Sequence, residues 1–263
     1  MKDNSLLSVS NLSVNFGGLA ALSDVFLKVN AKEVVGLIGP NGAGKTTLFN
    51  AISGLVKPTV GAIAVHGENI SWPQPHQLSK LGIARTLQEV GLFSGLTVLE
   101  NVMMGADRHR SSHFFRDIAG LSSRDEAHLK ERAMQALAWT GAHTFADKFP
   151  SQLAYPDSKR VALARALVLE PDLLLLDEPA AGLGHDDIEK LETLIKQIKS
   201  KCAILVVEHH VEFVSKISDR VYVLNFGKVI ASGTFGEVKK DPAVISAYLG
   251  TSTDSQTSAL GGN

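Results

Sequence analysis

The run Gly39-Pro40-Asn41-Gly42-Ala43-Gly44-Lys45-Thr46-Thr47 meets every fixed position of the phosphate-binding pattern G-x-x-x-x-G-K-S/T. Glycines at these places let backbone N–H groups turn inward around a polyphosphate. The field at the N-terminus of the following helix favours the same charge. Lys45 is placed to reach the β- and γ-phosphates, and the Thr46 hydroxyl to sit on Mg2+. A second group of chemical residues closes an apolar run, Leu173-Leu174-Leu175-Leu176-Asp177-Glu178. Asp177, at the C-terminal end of a strand, can hold Mg2+ directly or through water. Glu178 points differently and can take a proton from an attacking water. Together the two groups imply that the chain binds and hydrolyses a nucleoside triphosphate.

Such residues need a scaffold, and the flanking pattern supplies one. Val34 to Ile38 is apolar and precedes the loop as a strand, while Leu48 to Ile52 continues it as a helix, over residues 45–54. Upstream, residues 6–9, 12–16 and 25–29 read as short strands around a Gly17-Gly18 turn. Residues 61–66 and 83–87 read as further strands, the latter ending at Gln88. From about 97 to 146 the pattern becomes helical, with Leu129, Ala133, Ala136, Leu137 and Thr140 at helical spacing. Its centre, 107–115, reads as a solvated loop. After residue 171 strands and helices alternate, with strands at 173–176, 203–208, 221–224 and 228–231 and helices at 187–199 and 210–216. The expected fold is α/β, a phosphate-loop NTPase with an antiparallel β subdomain and an inserted α-helical subdomain. One domain is expected over 6–250, the helical insert covering about 97–150 and running on to 170. The Ser/Thr/Gly-rich residues 251–263 read as a disordered tail.

The 263 residues are 44% hydrophobic, enough for a full core. Lys+Arg number 26 and Asp+Glu 27, so the net charge of −1 gives no electrostatic basis for a nucleic-acid partner. Cys202 is the single cysteine and cannot make an internal disulfide. No secretory h-region and no run near the roughly 18–20 apolar residues of a membrane span is visible. The expected location is cytoplasmic, peripheral to a membrane through a partner.

Three further features narrow the class. Gln88 follows a short strand, Leu153-Ala154-Tyr155-Pro156-Asp157 opens a helix, and His209 ends the strand Val206-Val207-Glu208. In this order around the phosphate loop and acid pair they resemble the ATP-binding cassette family over about residues 6–249. The segments Glu178 to Leu183, Val207-Glu208-His209 and Ala247-Tyr248-Leu249-Gly250 look like the larger ATPase subunit of branched-chain amino acid importers. That resemblance implies ATP with Mg2+ as ligands and Phe16 stacked on adenine. It implies Gln88 touching Mg2+ and the membrane partner, Glu178 as catalytic carboxylate and His209 as switch histidine. Leu153 to Asp157 becomes a signature loop facing the ATP of a second cassette. The implied partners are that second ATPase subunit, two membrane permeases and, indirectly, a substrate-binding receptor, at the inner face of the plasma membrane.

The chain departs from the family pattern at named positions. Pro156 stands where glycine is usual, and proline has no N–H to offer a phosphate. Proline is also a good first-turn helix residue, so the change has a purely structural account. Asp157 brings negative charge near a phosphate unless Lys159 or Arg160 offsets it. Gly184 stands where a polar residue, often Asp or Asn, is usual, and His210 replaces the common Asp. Competing readings are a soluble ribosome- or DNA-remodelling cassette, a phosphate-loop GTPase or kinase, and a slow regulatory cassette. The dipeptide Asn-Lys, needed for guanine recognition, is absent.

Overall fold

The computed structural model describes residues 5–86, 90–106 and 123–249. Gln88, the stretch 107–115 and the tail 251–263 lie outside the described residues.

Two sheets organise the chain. The first is four-stranded and antiparallel, formed by β1 (Ser5–Phe16), β2 (Leu19–Asn30), β4 (Val60–Val65) and β5 (Glu68–Ile70) in the order β2-β1-β4-β5. The sequence pattern broke β1 after Val9, and the structure shows why. The pairing register shifts between Val9 and Leu12, and Asn11 takes a left-handed φ of 50°. Its amide donates to the Asp24 carboxylate at 2.9 Å. One bulged strand therefore reads as two.

The second sheet has the order β10-β9-β3-β8-β7-β6. Its strands are β3 (Val34–Ile38), β6 (Ile83–Arg85), β7 (Leu173–Asp177), β8 (Ala203–Val207), β9 (Arg220–Asn225) and β10 (Lys228–Gly233). All pairs are parallel except β9 with β10. Every residue of β3, β7 and β8 is buried, as their unbroken apolar runs require in a sheet covered on both faces.

On one side α1 (Lys45–Ile52) lies between the two sheets, in a core that includes Leu12, Leu27, Leu48, Phe49, Leu175 and Leu205. On the other, α5 (His185–Lys199) and α6 (Val211–Ile217) cover the sheet through Ile195, Ile198, Phe213 and Ile217. A third core joins α2 (Val98–Gly105), α3 (Ser123–Trp139) and α4 (Tyr155–Leu167), with Val98, Val102, Ala133, Leu137, Val161 and Ala164 at its centre. Leu163 and Leu167 of α4 also enter the core under α5, so α4 ties the helical layer to the sheet. Two short C-terminal helices, α7 (Phe235–Val238) and α8 (Pro242–Leu249), pack on the β9 side.

Parallel order places the C-terminal ends of β3, β7 and β8 side by side. These ends carry the phosphate loop, the acid pair and the histidine.

Candidate active site

The phosphate loop leaves β3 at Gly39 and enters α1 through Gly44, both with positive φ, 153° and 103°. At Gly39 a Cβ would lie 2.0 Å from the Leu224 carbonyl oxygen, so no other residue fits without moving β9. The start of α1 has no side-chain cap and no acid in its first turn. By contrast α2 begins with a Thr97–Glu100 capping box. An uncapped helix start with inward-turned loop amides suits an anion. Lys45 folds back over its own loop, donating to the carbonyls of Gly39 at 2.7 Å and Pro40 at 3.0 Å. Burial pushes its ammonium below the ordinary lysine range, and the Glu178 carboxylate opposes that shift. Asn41, Gly42 and Thr46 are exposed, while Ala43 is buried and Thr47 half-buried.

Asp177 ends β7 as a buried carboxylate. Arg85, at the end of the neighbouring β6, donates to it at 3.1 Å. The same guanidinium donates to Asn50 at 3.0 Å and to Ser53, and lies 4.6 Å over the Phe49 ring. Burial raises the Asp177 pKa; Arg85 pulls it back and Glu178 adds to the rise. Arg85 was not singled out in the sequence. Its role depends on the pairing of β6 with β7, which sequence spacing does not reveal.

Glu178 sits in a left-handed conformation, φ 45°, and its N–H donates to the Val207 carbonyl at 2.9 Å. Such a conformation is costly for a residue with a Cβ and is held by its surroundings. His209 Nδ1 lies 3.5 Å from Glu178 Oε1. Glu208, fully buried, braces this end of the sheet. It accepts from the N–H groups of Ala180 at 2.7 Å, His209 at 3.1 Å and His210 at 3.3 Å. A carboxylate between two apolar valines and two histidines was the available signal for that brace. His210 accepts from Phe213 N–H at 3.2 Å through its Nδ1, capping α6.

The segment Leu153 to Asp157 runs into α4, with Ala154 at the N-cap and Pro156 in the first turn. Arg160 offsets the Asp157 charge at 3.2 Å. Lys159 turns the other way, donating to the carbonyls of Pro179 at 2.9 Å and Glu178 at 3.3 Å. A Cβ on Gly182 would sit 2.9 Å from the Tyr155 ring, so the loop after the acid pair passes hard against this segment. Phe16 stands apart at the β1–β2 turn, half exposed.

The residues that could take a triphosphate are thus gathered at one sheet edge: Gly39 to Thr47, Asp177, Glu178 and His209. Among the described residues no group of three His, Cys, Asp or Glu side chains could hold a metal by itself. Thr46 and Asp177 could hold Mg2+ with phosphate oxygens completing its shell, the oxygen-rich set that ion prefers.

The profile of ABC transporters matches residues 22–181. The chain is 39% identical over 249 residues to the high-affinity branched-chain amino acid transport ATP-binding protein LivG of Escherichia coli, covering 93% of this chain and 98% of that one. This chain belongs to the ATP-binding cassette family. BraF of Pseudomonas aeruginosa, another branched-chain amino acid transport ATP-binding protein, is 40% identical over 252 residues, with the same 93% and 98% coverage. The lipopolysaccharide export ATP-binding protein LptB of Haemophilus influenzae is 34% identical, covering 94% and 98%. A profile of branched-chain amino acid ATP-binding cassette transporters matches residues 228–254 of this cassette. The ADP conformation of MJ1267, an ATP-binding cassette of an ABC transporter, superposes with a TM-score of 0.81 at 29% identity, covering 94% of this chain and 99% of that one. The dimeric post-hydrolysis cassette MJ0796, bound to ADP and Pi, superposes with a TM-score of 0.72 at 26% identity, covering 87% and 98%. The cassette is therefore an ATPase associated with transport. Among its described residues no helix is long and apolar enough to cross a membrane.

Proposed function

We propose that this cassette is the ATP-hydrolysing subunit of a membrane importer for branched-chain or other amino acids. It pairs with a second cassette, drives two permease subunits from the inner face of the plasma membrane, and is served indirectly by a substrate-binding receptor. The observation that carries the importer reading is the branched-chain match at residues 228–254, joined to 39% identity with LivG over nearly the whole chain.

In this reading Phe16 stacks on adenine and the backbone of Gly39 to Thr47 cradles the phosphates. Lys45 exchanges the carbonyls of Gly39 and Pro40 for phosphate oxygens. Thr46 and Asp177 would hold Mg2+, with Gln88 contributing as the family resemblance implies. The ion, when bound, offsets phosphate charge. Glu178 accepts the proton of the attacking water. His209 stands beside it to position the carboxylate. Leu153 to Asp157 serves the partner's nucleotide. The surface from Gln88 to Leu99 receives a permease helix. Phe93 supports that reading, being 52% exposed, whereas Leu92 packs against the helical core.

A second reading, a slowly turning regulatory cassette, draws on Pro156 alone. An export role draws on the likeness to LptB, at lower identity.

The test is uptake of radiolabelled leucine into proteoliposomes holding the cassette pair, permeases and receptor. ATP-driven uptake that disappears with Lys45→Ala is expected. ATP hydrolysis with no uptake of any branched-chain amino acid would overturn the substrate assignment.

A further inference from the structure

The loop after the acid pair is held from two sides. From the sheet, the Val207 carbonyl accepts from the Glu178 N–H at 2.9 Å, and Glu208 accepts from the Ala180 N–H at 2.7 Å. From the helical side, the half-buried Lys159 of α4 donates to the carbonyls of Glu178 at 3.3 Å and Pro179 at 2.9 Å. Its ammonium also lies 5.3 Å from the centre of the Tyr155 ring, the ring that meets Gly182 further along the same loop. The start of α4 therefore reaches both ends of residues 178–182.

Glu178 sits at φ 45°, which persists in a residue with a Cβ only where its surroundings over-determine it. The contacts restrain different atoms. Val207 takes the N–H before the Cα, and Lys159 takes the carbonyl after it. The Ala181 N–H shares that carbonyl at 3.1 Å, but it belongs to the same turn and moves with it. Together the two flanking peptide planes set the direction of the Cα–Cβ bond. That direction aims the carboxylate, whose Oε1 lies 3.5 Å from His209 Nδ1. An ammonium donating to a carbonyl makes a charge-assisted bond, roughly twice as strong as a neutral one.

We propose that Lys159 is a positioning residue for Glu178. It fixes the peptide that follows the base, so that the carboxylate faces the attacking water. This rests on the reading of Glu178 as general base. The helix that opens with Leu153 to Asp157 thereby sets the aim of this chain's own base.

The experiment uses the assembled transporter and, for binding, the full chain. Lys159→Met keeps the stem beside Tyr155 and removes the ammonium. Its kcat for ATP hydrolysis should fall about 10- to 100-fold, the scale of misplacing a reacting group by about 1 Å, while KM holds. Calorimetry should give wild-type affinity for Mg-ADP. Lys159→Arg, which keeps a charged donor, should recover most of the lost rate. A double-mutant cycle with Glu178→Gln separates positioning from general support. When Lys159 acts through Glu178, adding Lys159→Met to Glu178→Gln lowers the residual rate no further. An equal fold-loss in both backgrounds overturns the proposal, as does loss of Mg-ADP affinity in Lys159→Met. If Glu178→Gln alone turns over like wild type, the base reading falls and takes this proposal with it. If Glu178→Gln is slow and Lys159→Met is not, only the role of Lys159 falls.

Discussion

His209 Nδ1 and Glu178 Oε1 stand 3.5 Å apart, each at the C-terminal edge of a neighbouring parallel strand. The strand pairing brings them together, and the Glu178 N–H bond to Val207 fixes the offset. Glu178 as general base predicts that Glu178→Gln keeps Mg-ATP binding and lowers turnover by about 10²–10⁴-fold. The amide retains the size of the carboxylate but cannot take a proton. Steady-state phosphate release by the assembled transporter decides it; an unchanged rate removes Glu178 from the chemistry.

Arg85 is the counter-charge of Asp177, and both side chains are largely buried, 13% and 5% exposed. Arg85→Met should therefore destabilise the nucleotide-free chain by about 3–5 kcal/mol, the cost typical of stranding one member of a buried pair. Arg85→Lys should lose less, keeping the charge without the fork that also reaches Asn50 and Ser53. Urea unfolding measures both. Equal midpoints for wild type and Arg85→Met would show that Asp177 is balanced by something else.

Pro156 lies in the first turn of α4, where a proline starts a helix well but donates no N–H. Losing one donor from an oxyanion-type site costs about 10²–10³ in rate. If the segment serves a partner's phosphate, homodimers carry that defect in both sites and heterodimers in one. Pro156→Gly should then raise turnover of the isolated chain by more than it raises turnover of the full complex. If neither rate moves, this proline is only a helix starter.

Cys202 is buried, and desolvation with the nearby Asp172 charge pushes its thiol up to about 12. A raised folded pKa favours the neutral thiol, so its stabilising contribution is complete below pH 9 and is lost as pH climbs toward 12. At pH 8 the native chain should resist a disulfide-exchange reagent that titrates one thiol at once in urea. Rapid native labelling would mean that the strand β8 edge opens locally.

The candidate site residues stood out in the sequence because the chemistry proposed for them demands a fixed local spacing. Glycines before Lys45 and acids after four leucines say what they are without any tertiary knowledge. The buried strands were legible for a similar reason, since a strand covered on both faces has no polar positions. What escaped was created by pairing between distant segments. Arg85 is an ordinary strand-end arginine until β6 lies beside β7. Lys45 reads as a lysine placed to reach phosphates, yet here it is buried against its own loop carbonyls. Leu92 and Phe93 are alike and adjacent in the sequence, yet the helical core divides them, taking Leu92 and leaving Phe93 outside.

The loop proposed to receive phosphate stands near the start of the chain, but much of what surrounds it is made late. Its strand β3 is flanked by β8 and β9. The Gly227 N–H holds the Ala43 carbonyl at 2.9 Å, and the Leu224 carbonyl of β9 closes on Gly39. As the polypeptide leaves the ribosome, the motif emerges early with no walls around it. Non-local pairing of this kind closes late. A nascent chain arrested before residue 203 will carry the whole phosphate motif and gain no protease protection from Mg-ATP; protection at that length would show that the loop shapes itself. Nucleotide capture thus becomes a test of completeness, one that a chain cut short before β8 and β9 fails.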